Sequence, residues 1–478
     1  MRPELFSFKR ARTGRSAATV LAAALAVAGC GTPQPYTRPV LEVPPAFKEA
    51  AGWKQADPRA AEVPDQWWRL FNDPVLDGLQ NEVVVGNENL RAAVARYRQA
   101  QAALAASRAG LSPTLGGGFS ASRSGGPSAG GGAAGSRTAN NLALSASASW
   151  EIDLWGRLAG QVDSSQAQLQ ASQYDLAAAR LSIQATLAQT YFSLRAAEAQ
   201  AALLEGTLEA YRRSLQLTQN RYAAGVASAA DVAQAQAQLK STEAQWIEVR
   251  SNRAQFEHAI AVLLGKAPAA FDLPRTAGLP PAPEVPAQLP STLLERRPDI
   301  AAAERRVAAA NAQIGVARAA FFPSLTLSAQ AGFRGATLAH LVSSPNLFWS
   351  LGPALALSLF DGGARQAAVD AARAATEQAA ASYRQTVLTA LQEVEDNLVL
   401  AASLQQEFAT QSEALAAARR LQEITDNQYR AGTVSYLNVV TAQATVLASE
   451  RSLLDVRNRR LAALNQLLKN LAGRWDVL

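Results

Sequence analysis

The chain has 478 residues, room for more than one compact domain. Charged residues make up 18% and aromatics 6%, and much of the 49% apolar share is alanine, a composition that disfavours a bulky globular core and suits long, closely packed helices. The formal net charge of +6 makes no case for nucleic acid: residues 1–29 hold Arg2, Lys9, Arg10, Arg12 and Arg15 against Glu4, so the rest carries only +2, too little for many phosphate contacts.

Those first residues predict a targeting segment. The basic stretch ends at Arg15, and the apolar run Ala17–Ala28 has 12 residues, too short for a spanning helix, which needs about 20. Val27-Ala28-Gly29-Cys30 resembles a lipobox. Cys30 is the only cysteine, so no intramolecular disulfide can form, and a lone thiol here fits lipid attachment (a palmitate-type diacyl or triacyl anchor) better than a core position. An ordinary signal peptide that ends near a cysteine is the plainer alternative. By resemblance to lipoprotein sorting signals, Gly31 in place of Asp favours release to the outer membrane. Residues 1–29 are therefore expected to be a lipoprotein signal peptide, and 30–64 an extended segment anchored at Cys30. No later segment has 18 consecutive apolar residues, so any membrane crossing would be by strands.

The remainder is written twice. Ala100-Gln101, Arg108-Ala109 and Pro113 answer Ala310-Asn311, Arg318-Ala319 and Pro323 at an offset of 210. Asn220, Tyr222, Ala224, Gly225, Ser228 and Val232 answer Asn427, Tyr429, Ala431, Gly432, Ser435 and Val439 at an offset of 207. A repeat of that length is too long for a solenoid unit and reads as a duplicated domain half. The first copy spans 65–267, the second 299–478.

Each copy predicts a helix, two strands, a very long helix, a turn and a shorter helix. The first helices are Leu90–Ala109 and Ile300–Ala319. Strands are expected at about 113–123 and 141–153, then at 323–333 and 349–360, with period-two alternation: Leu142, Leu144, Ala146, Ala148, Trp150 and Ile152 on one face, Ser145, Ser147, Ser149, Glu151 and Asp153 on the other. Ser122–Ser136, rich in Gly and Ser, reads as an exposed loop. Such strands with Trp near an end fit an outer-membrane barrel, and equally a half-buried hairpin of a soluble domain. If they lie in lipid, four strands cannot close, so copies of the chain must share one barrel. No proline interrupts Leu158–Val226 or Gln366–Val434, each about 100 Å long as a helix. Small and apolar residues recur there at spacings of three and four, a coiled-coil pattern. Shorter helices return over Ala229–Leu264 and Tyr436–Leu471. Between the copies, 268–298 holds eight prolines and reads as an extended crossing.

Trp67-Trp68-Arg69-Leu70-Phe71-Asn72-Asp73-Pro74, Leu293-Leu294-Glu295-Arg296-Arg297-Pro298-Asp299-Ile300 and the two Tyr-x-x-Gly turns resemble the TolC-like outer-membrane efflux factors, in particular their NodT-type lipoprotein branch, over nearly all of the chain beyond the leader. Read locally, Pro298 stops a helix and Asp299 caps the next. The resemblance implies a mainly α chain with membrane β, assembled as a homotrimer with a twelve-stranded barrel continued by a periplasmic α-helical barrel. The function implied is the outer-membrane channel of a tripartite efflux system, exporting small molecules such as drugs. Its partners would be its own copies, a periplasmic adaptor and an inner-membrane pump of the resistance–nodulation–division type.

The tips near 225 and 432 would form the entrance. Gly225 and Gly432 suit turns with positive φ, as any interhelical turn would. Gly225, Val226, Ala227, Ser228, Gly432, Thr433, Val434 and Ser435 would contact the adaptor. Asp231 and Tyr429 match positions that form an inter-helix latch in the TolC-like pattern. A second latch uses an Arg where this chain has Val434, and acidic positions of the family are Asn438 and Thr441 here.

The alternative is a lipid-anchored periplasmic coiled-coil adaptor without a pore. An enzyme is not expected, nor any cofactor or metal: the two histidines, His258 and His340, lie in different halves without ligand spacing, and Glu393 and Glu395 read as solvated or lumen-facing charges.

Overall fold

The computed structural model describes residues 35–40, 48, 66–127, 136–276, 278–283 and 297–471. The leader, Cys30, most of the 30–64 segment, the middle of the Gly/Ser stretch and most of the Pro-rich linker, Leu293–Arg296 included, lie outside the described residues.

The fold is mainly helical, with seven α-helices and four strands among the described residues. They are α1 (Pro74–Gly86), α2 (Glu88–Ala109), β1 (Thr114–Pro127), β2 (Ser136–Ile152), α3 (Arg157–Ala223), α4 (Ala229–Leu263), α5 (Pro298–Ala319), β3 (Ser324–Gly335), β4 (Leu347–Ala356), α6 (Ala364–Arg430) and α7 (Tyr436–Leu471). The order α2-β1-β2-α3-α4 recurs as α5-β3-β4-α6-α7, so the duplication is real, and α3 and α6 both have 67 residues. The two sequence halves are not the two compact units: one unit takes Arg98–Ala171 and Glu304–Ser382 from both halves, the other Ser172–Ala303 and Tyr383–Leu478, with Val40–Tyr97.

The first unit carries one antiparallel sheet in the order β1-β2-β3-β4. The β1–β2 ladder runs on from Ser122↔Asn141 to Pro127↔Ser136. The ends of the Gly/Ser stretch are therefore strand rather than loop, because a hairpin already in register extends by backbone pairing without needing a side-chain pattern. At the other side β4 stops at Ala356, opposite Ser324, the first residue of β3, since Pro323 just before it has no N–H to continue the ladder. Small side chains let the helices of this unit approach closely. A Cβ at Gly160 would lie 3.1 Å from Val316, and Ser164 Oγ donates to the Ala309 carbonyl at 3.0 Å.

The second unit is built on Trp67, Phe71, Leu76, Leu187, Tyr191, Phe192, Leu194 and Leu204, all buried. Phe71 and Phe192 pack as a tilted ring pair with centroids 4.7 Å apart. Asp73 caps α1, accepting the N–H groups of Val75 and Leu76, with Pro74 at the first helical position. Asn87 breaks the chain between α1 and α2, its Oδ1 accepting from Leu90 N and its amide donating to the Leu263 carbonyl.

A buried ion network fixes the start of the linker. Arg195 donates to Glu198 at 2.6 Å and to the Pro274 carbonyl at 3.0 Å, while Arg253 joins Glu198, Glu257 and the Leu273 carbonyl. Arg297 makes paired bonds to Asp299 and a third to Glu393 at 2.8 Å. Burial opposes the Arg297 charge, but these carboxylates outweigh it and raise its pKa. Asp299 thus sits in the first turn of α5 as the partner of Arg297, still accepting Ile300 N–H, rather than ahead of the helix as its cap. Glu393 is a structural partner rather than a free lumen charge, and Glu395 accepts the Lys48 backbone N–H at 2.8 Å.

Candidate functional site

Two regions stand out, the sheet and the hairpin tips. Register places whole apolar rows across the sheet. Phe119, Leu144, Phe333 and Leu347 form one row; Ala146, Ala331 and Trp349, then Ala148, Ala329 and Leu351, form others. The intervening rows are small or polar, as in Ser147–Gln330–Ser350 and Ser149–Ser328–Gly352. The apolar face is not covered: Trp349 is 76% exposed, and Phe119, Leu351 and Leu355 are exposed too. Trp150 keeps its indole N–H satisfied on the Leu111 carbonyl at 2.9 Å, so it can stand at an apolar boundary. Among the described residues β1 pairs only with β2 and β4 only with β3, which leaves two open edges. Among the described residues no helix is long and apolar enough to cross a membrane.

At the tips, each long helix ends in the same hydrogen-bond pattern. Gly225 has φ +73° and donates to the Tyr222 carbonyl, while Val226 and Ala227 donate to the Arg221 carbonyl. Gly432 has φ +77° and donates to the Tyr429 carbonyl, while Thr433 donates to the Gln428 carbonyl. This is the six-to-one and five-to-two closure that a left-handed residue makes possible, and it explains why glycine stands at both places. The returning helix α4 starts with a capping box. Ser228 Oγ accepts Asp231 N–H at 3.1 Å and donates to the Asp231 carboxylate at 2.8 Å, and Ser228 N–H donates to that carboxylate at 2.9 Å. Asn438 replaces Asp231 in the second copy and accepts the Ser435 hydroxyl at 3.3 Å.

The structure does not bring Asp231 and Tyr429 together within the chain. Asp231 is occupied by its own cap. Tyr429 is 9% exposed, packs with Ala235, Tyr436, Val439 and Val440, and its hydroxyl is buried without a hydrogen-bond partner among the described residues. Its counterpart Tyr222 is 51% exposed. Val434 packs on the Tyr429 cluster as an apolar side chain, Val226 is exposed, and Ala227 is partly covered. Tyr436 shares a 3.0 Å hydrogen bond with Ser214, and burial pushes its phenol pKa up. Burial likewise raises the Asp426 carboxyl, although Arg430 opposes the shift.

Sequence reading missed Arg221. Its guanidinium lies over the Tyr429 ring, 4.4 Å from the centroid, and donates to the Tyr429 carbonyl at 3.2 Å. The only signal was a break in the repeat, because position 428 holds Gln. His258 and His340 stand apart on a helix and in a loop, and among the described residues no three His, Cys, Asp or Glu side chains gather as a metal site.

Comparison with known proteins agrees with this geometry. The family described as outer membrane efflux protein matches residues 79–266 and 289–473. The chain is 32% identical over 473 residues to the pyoverdine export outer membrane protein OpmQ of Pseudomonas aeruginosa, covering 96% of this chain and 97% of the other. It is 30% identical over 465 residues to the antibiotic efflux pump outer membrane protein ArpC of Pseudomonas putida, covering 96% of each. The solved structure of the outer-membrane channel OprN superposes with a TM-score of 0.86 at 30% identity, over 93% of this chain and 100% of that one.

Proposed function

This chain belongs to the outer membrane efflux protein family, and from that premise we propose that it works as a lipid-anchored trimer in a tripartite pump. It is the outer-membrane channel of an efflux system, with a helical periplasmic part, and not an enzyme. The trimer, the anchor and the partners are the further steps.

The observation that carries the assembly is the uncovered apolar sheet face with its two open edges. In hydrocarbon an unpaired edge leaves backbone groups unsatisfied at several kcal/mol each, and only closure removes it. Four strands from each of three copies give twelve, wide enough to leave a lumen. The anchor rests on Cys30 and its lipobox, which support the reading of a NodT-type lipoprotein branch. The tips, Gly225–Ser228 and Gly432–Ser435, are the periplasmic entrance and the adaptor-contacting surface, with Asp231 and Tyr429 as its gate residues. Asp231 supplies the negative charge there, and Tyr429 the ring on which the second hairpin is seated. An adaptor docking on the tips would link the channel to a pump of the resistance–nodulation–division type. OpmQ and ArpC are named for chemically unlike cargoes, which argues that cargo choice lies in the pump rather than in this wall.

The test is reconstitution of the purified full chain in planar lipid bilayers. A channel gives discrete conductance steps. A lipid-anchored coiled-coil adaptor, the competing reading, leaves the bilayer silent.

A further inference from the structure

Arg221 touches the closure of both hairpin tips. Its own carbonyl accepts Val226 N–H at 2.8 Å and Ala227 N–H at 3.2 Å, which closes the α3–α4 tip. Its guanidinium donates to the Tyr429 carbonyl at 3.2 Å, and that same carbonyl accepts Gly432 N–H at 3.0 Å, which closes the α6–α7 tip. A carbonyl oxygen has two lone pairs, so the two donors share it without competing. The guanidinium carbon also lies over the Tyr429 ring, 4.4 Å from its centroid, and Tyr436 contacts that ring at a centroid distance of 5.5 Å. Tyr429 is thus in contact with both a cation and an aromatic ring, and among the described residues its hydroxyl has no hydrogen-bond partner.

We infer that Arg221 is a positioning residue that couples the two tips of one protomer, so that neither closure opens without loosening the other. An arginine is required by the geometry. One plane must stack on a ring and send an N–H past its rim to a backbone oxygen, which the point charge of a lysine does poorly. The cation stays charged at any physiological pH, so the coupling is permanent rather than pH-gated. Asp231 takes no part, being held in its own capping box. As a device for controlling the entrance the coupling rests on the reading of the tips given above; as a mechanical link it does not.

The test separates those two levels. Backbone amide hydrogen exchange of the tip peptides and single-channel conductance are measured on the reconstituted full chain. The variants are Arg221→Gln, Arg221→Lys, Tyr429→Phe and Tyr429→Leu. Arg221→Gln places at this position the residue that already stands at 428 and closes the other tip with the same backbone pattern, so the helix end itself is preserved. Exchange at Gly432–Ser435 should quicken about tenfold in Arg221→Gln, the scale of one charge-assisted hydrogen bond lost on local opening. Arg221→Lys and Tyr429→Leu should fall in between, and Tyr429→Phe should match wild type because the ring is kept and the hydroxyl has no partner to lose. If exchange at the second tip is unchanged in Arg221→Gln, the coupling is overturned whatever the conductance does. If exchange quickens while conductance stays at the wild-type value, the coupling stands and the entrance reading fails. Both rising together supports both.

Discussion

The backbones of Gly86 and Gly265 are in contact. A Cβ on Gly86 would lie 2.2 Å from the Leu264 carbonyl oxygen, and one on Gly265 would lie 2.1 Å from the Gly86 carbonyl oxygen. Gly265 also has φ +72°, where a Cβ is strained in any case. The end of α1 is thereby pressed against the end of α4, with Lys266 paired to Glu82 alongside.

Alanine at either place should therefore cost far more than a helix-propensity change. The expectation is a loss above about 3 kcal/mol for Gly86→Ala and for Gly265→Ala, since backbone must move to relieve the overlap. Gly206, inside α3 with nothing within 4 Å of a Cβ, is the control, and its alanine variant should gain about 0.5–1 kcal/mol. Urea unfolding followed by far-ultraviolet circular dichroism ranks the three. Gly86→Ala as stable as wild type would show that the contact has slack.

That contact was invisible in the sequence, whereas the long helices were plain. Seventy residues without proline, with apolar residues at spacings of three and four, admit little but a helix, and Gly225 and Gly432 mark where it must turn. The duplication showed itself because Asn220, Tyr222, Ala224, Gly225, Ser228 and Val232 recur 207 residues on. What stayed hidden is long-range pairing. Asp73 meets Tyr191 across 118 residues, and Arg221 meets Tyr429 across 208. No local pattern encodes such meetings, because they depend on where two helices fold back. The resemblance pointed at Asp231 and Tyr429 as a pair; in the structure a nearer serine takes the aspartate and an unforeseen arginine takes the tyrosine. The strand ends blurred for a different reason. Ser and Gly in 122–127 have turn-like composition, yet nothing in their size forbids a ladder already in register.

Tyr191 and Asp73 give a pH prediction. The phenol donates to the Asp73 carboxylate at 2.6 Å; burial first, then this bond, pushes its pKa above the usual value near 10. A group whose folded pKa is raised stabilises fully below its unfolded pKa and loses that contribution as pH climbs through the folded one. Wild type should exceed Tyr191→Phe by about 1.5–3 kcal/mol at pH 7, the scale of a hydrogen bond to a charged group. The gap should narrow as pH rises beyond about 10. Urea midpoints at pH 7 and at higher pH measure it, and a gap that widens with pH would contradict the assignment.

Lipidation is tested at the terminus. Protein extracted from membranes should begin at Cys30 and carry a diacyl or triacyl mass. A chain that starts elsewhere, or an unmodified Cys30, removes the anchor from the proposal while leaving the channel intact.

Assembly is tested by mass. The sheet leaves two open edges among the described residues and an uncovered face that includes Trp349 and Leu351, so the shared-barrel proposal expects no stable single copy in lipid or detergent. Native mass spectrometry from detergent should give three chains. A monodisperse monomer would require another way of covering the edges of β1 and β4 and would end the shared-barrel reading.

Asp231 has two separable roles, and substitution can split them. It closes a capping box through Ser228, and it places one carboxylate per copy at the proposed entrance, so a trimer would present three. Like charges around one axis repel each other and attract cations. Ser228→Ala breaks the box and keeps the charge. It should cost about 1 kcal/mol locally and loosen the tip without altering ion preference. Asp231→Asn removes the charge while keeping a side-chain acceptor, and Asn438 shows that an amide at the equivalent place is compatible with a formed α7. It should lower cation preference and weaken block by divalent cations, with conductance near wild type. Asp231→Ala should do both. Reversal potentials in asymmetric salt, recorded from single channels without adaptor, read the charge effect, and unitary conductance reads the loosening. If Asp231→Asn and wild type reverse at the same potential, the carboxylate does not face the ion path, and its role at this tip is the cap alone.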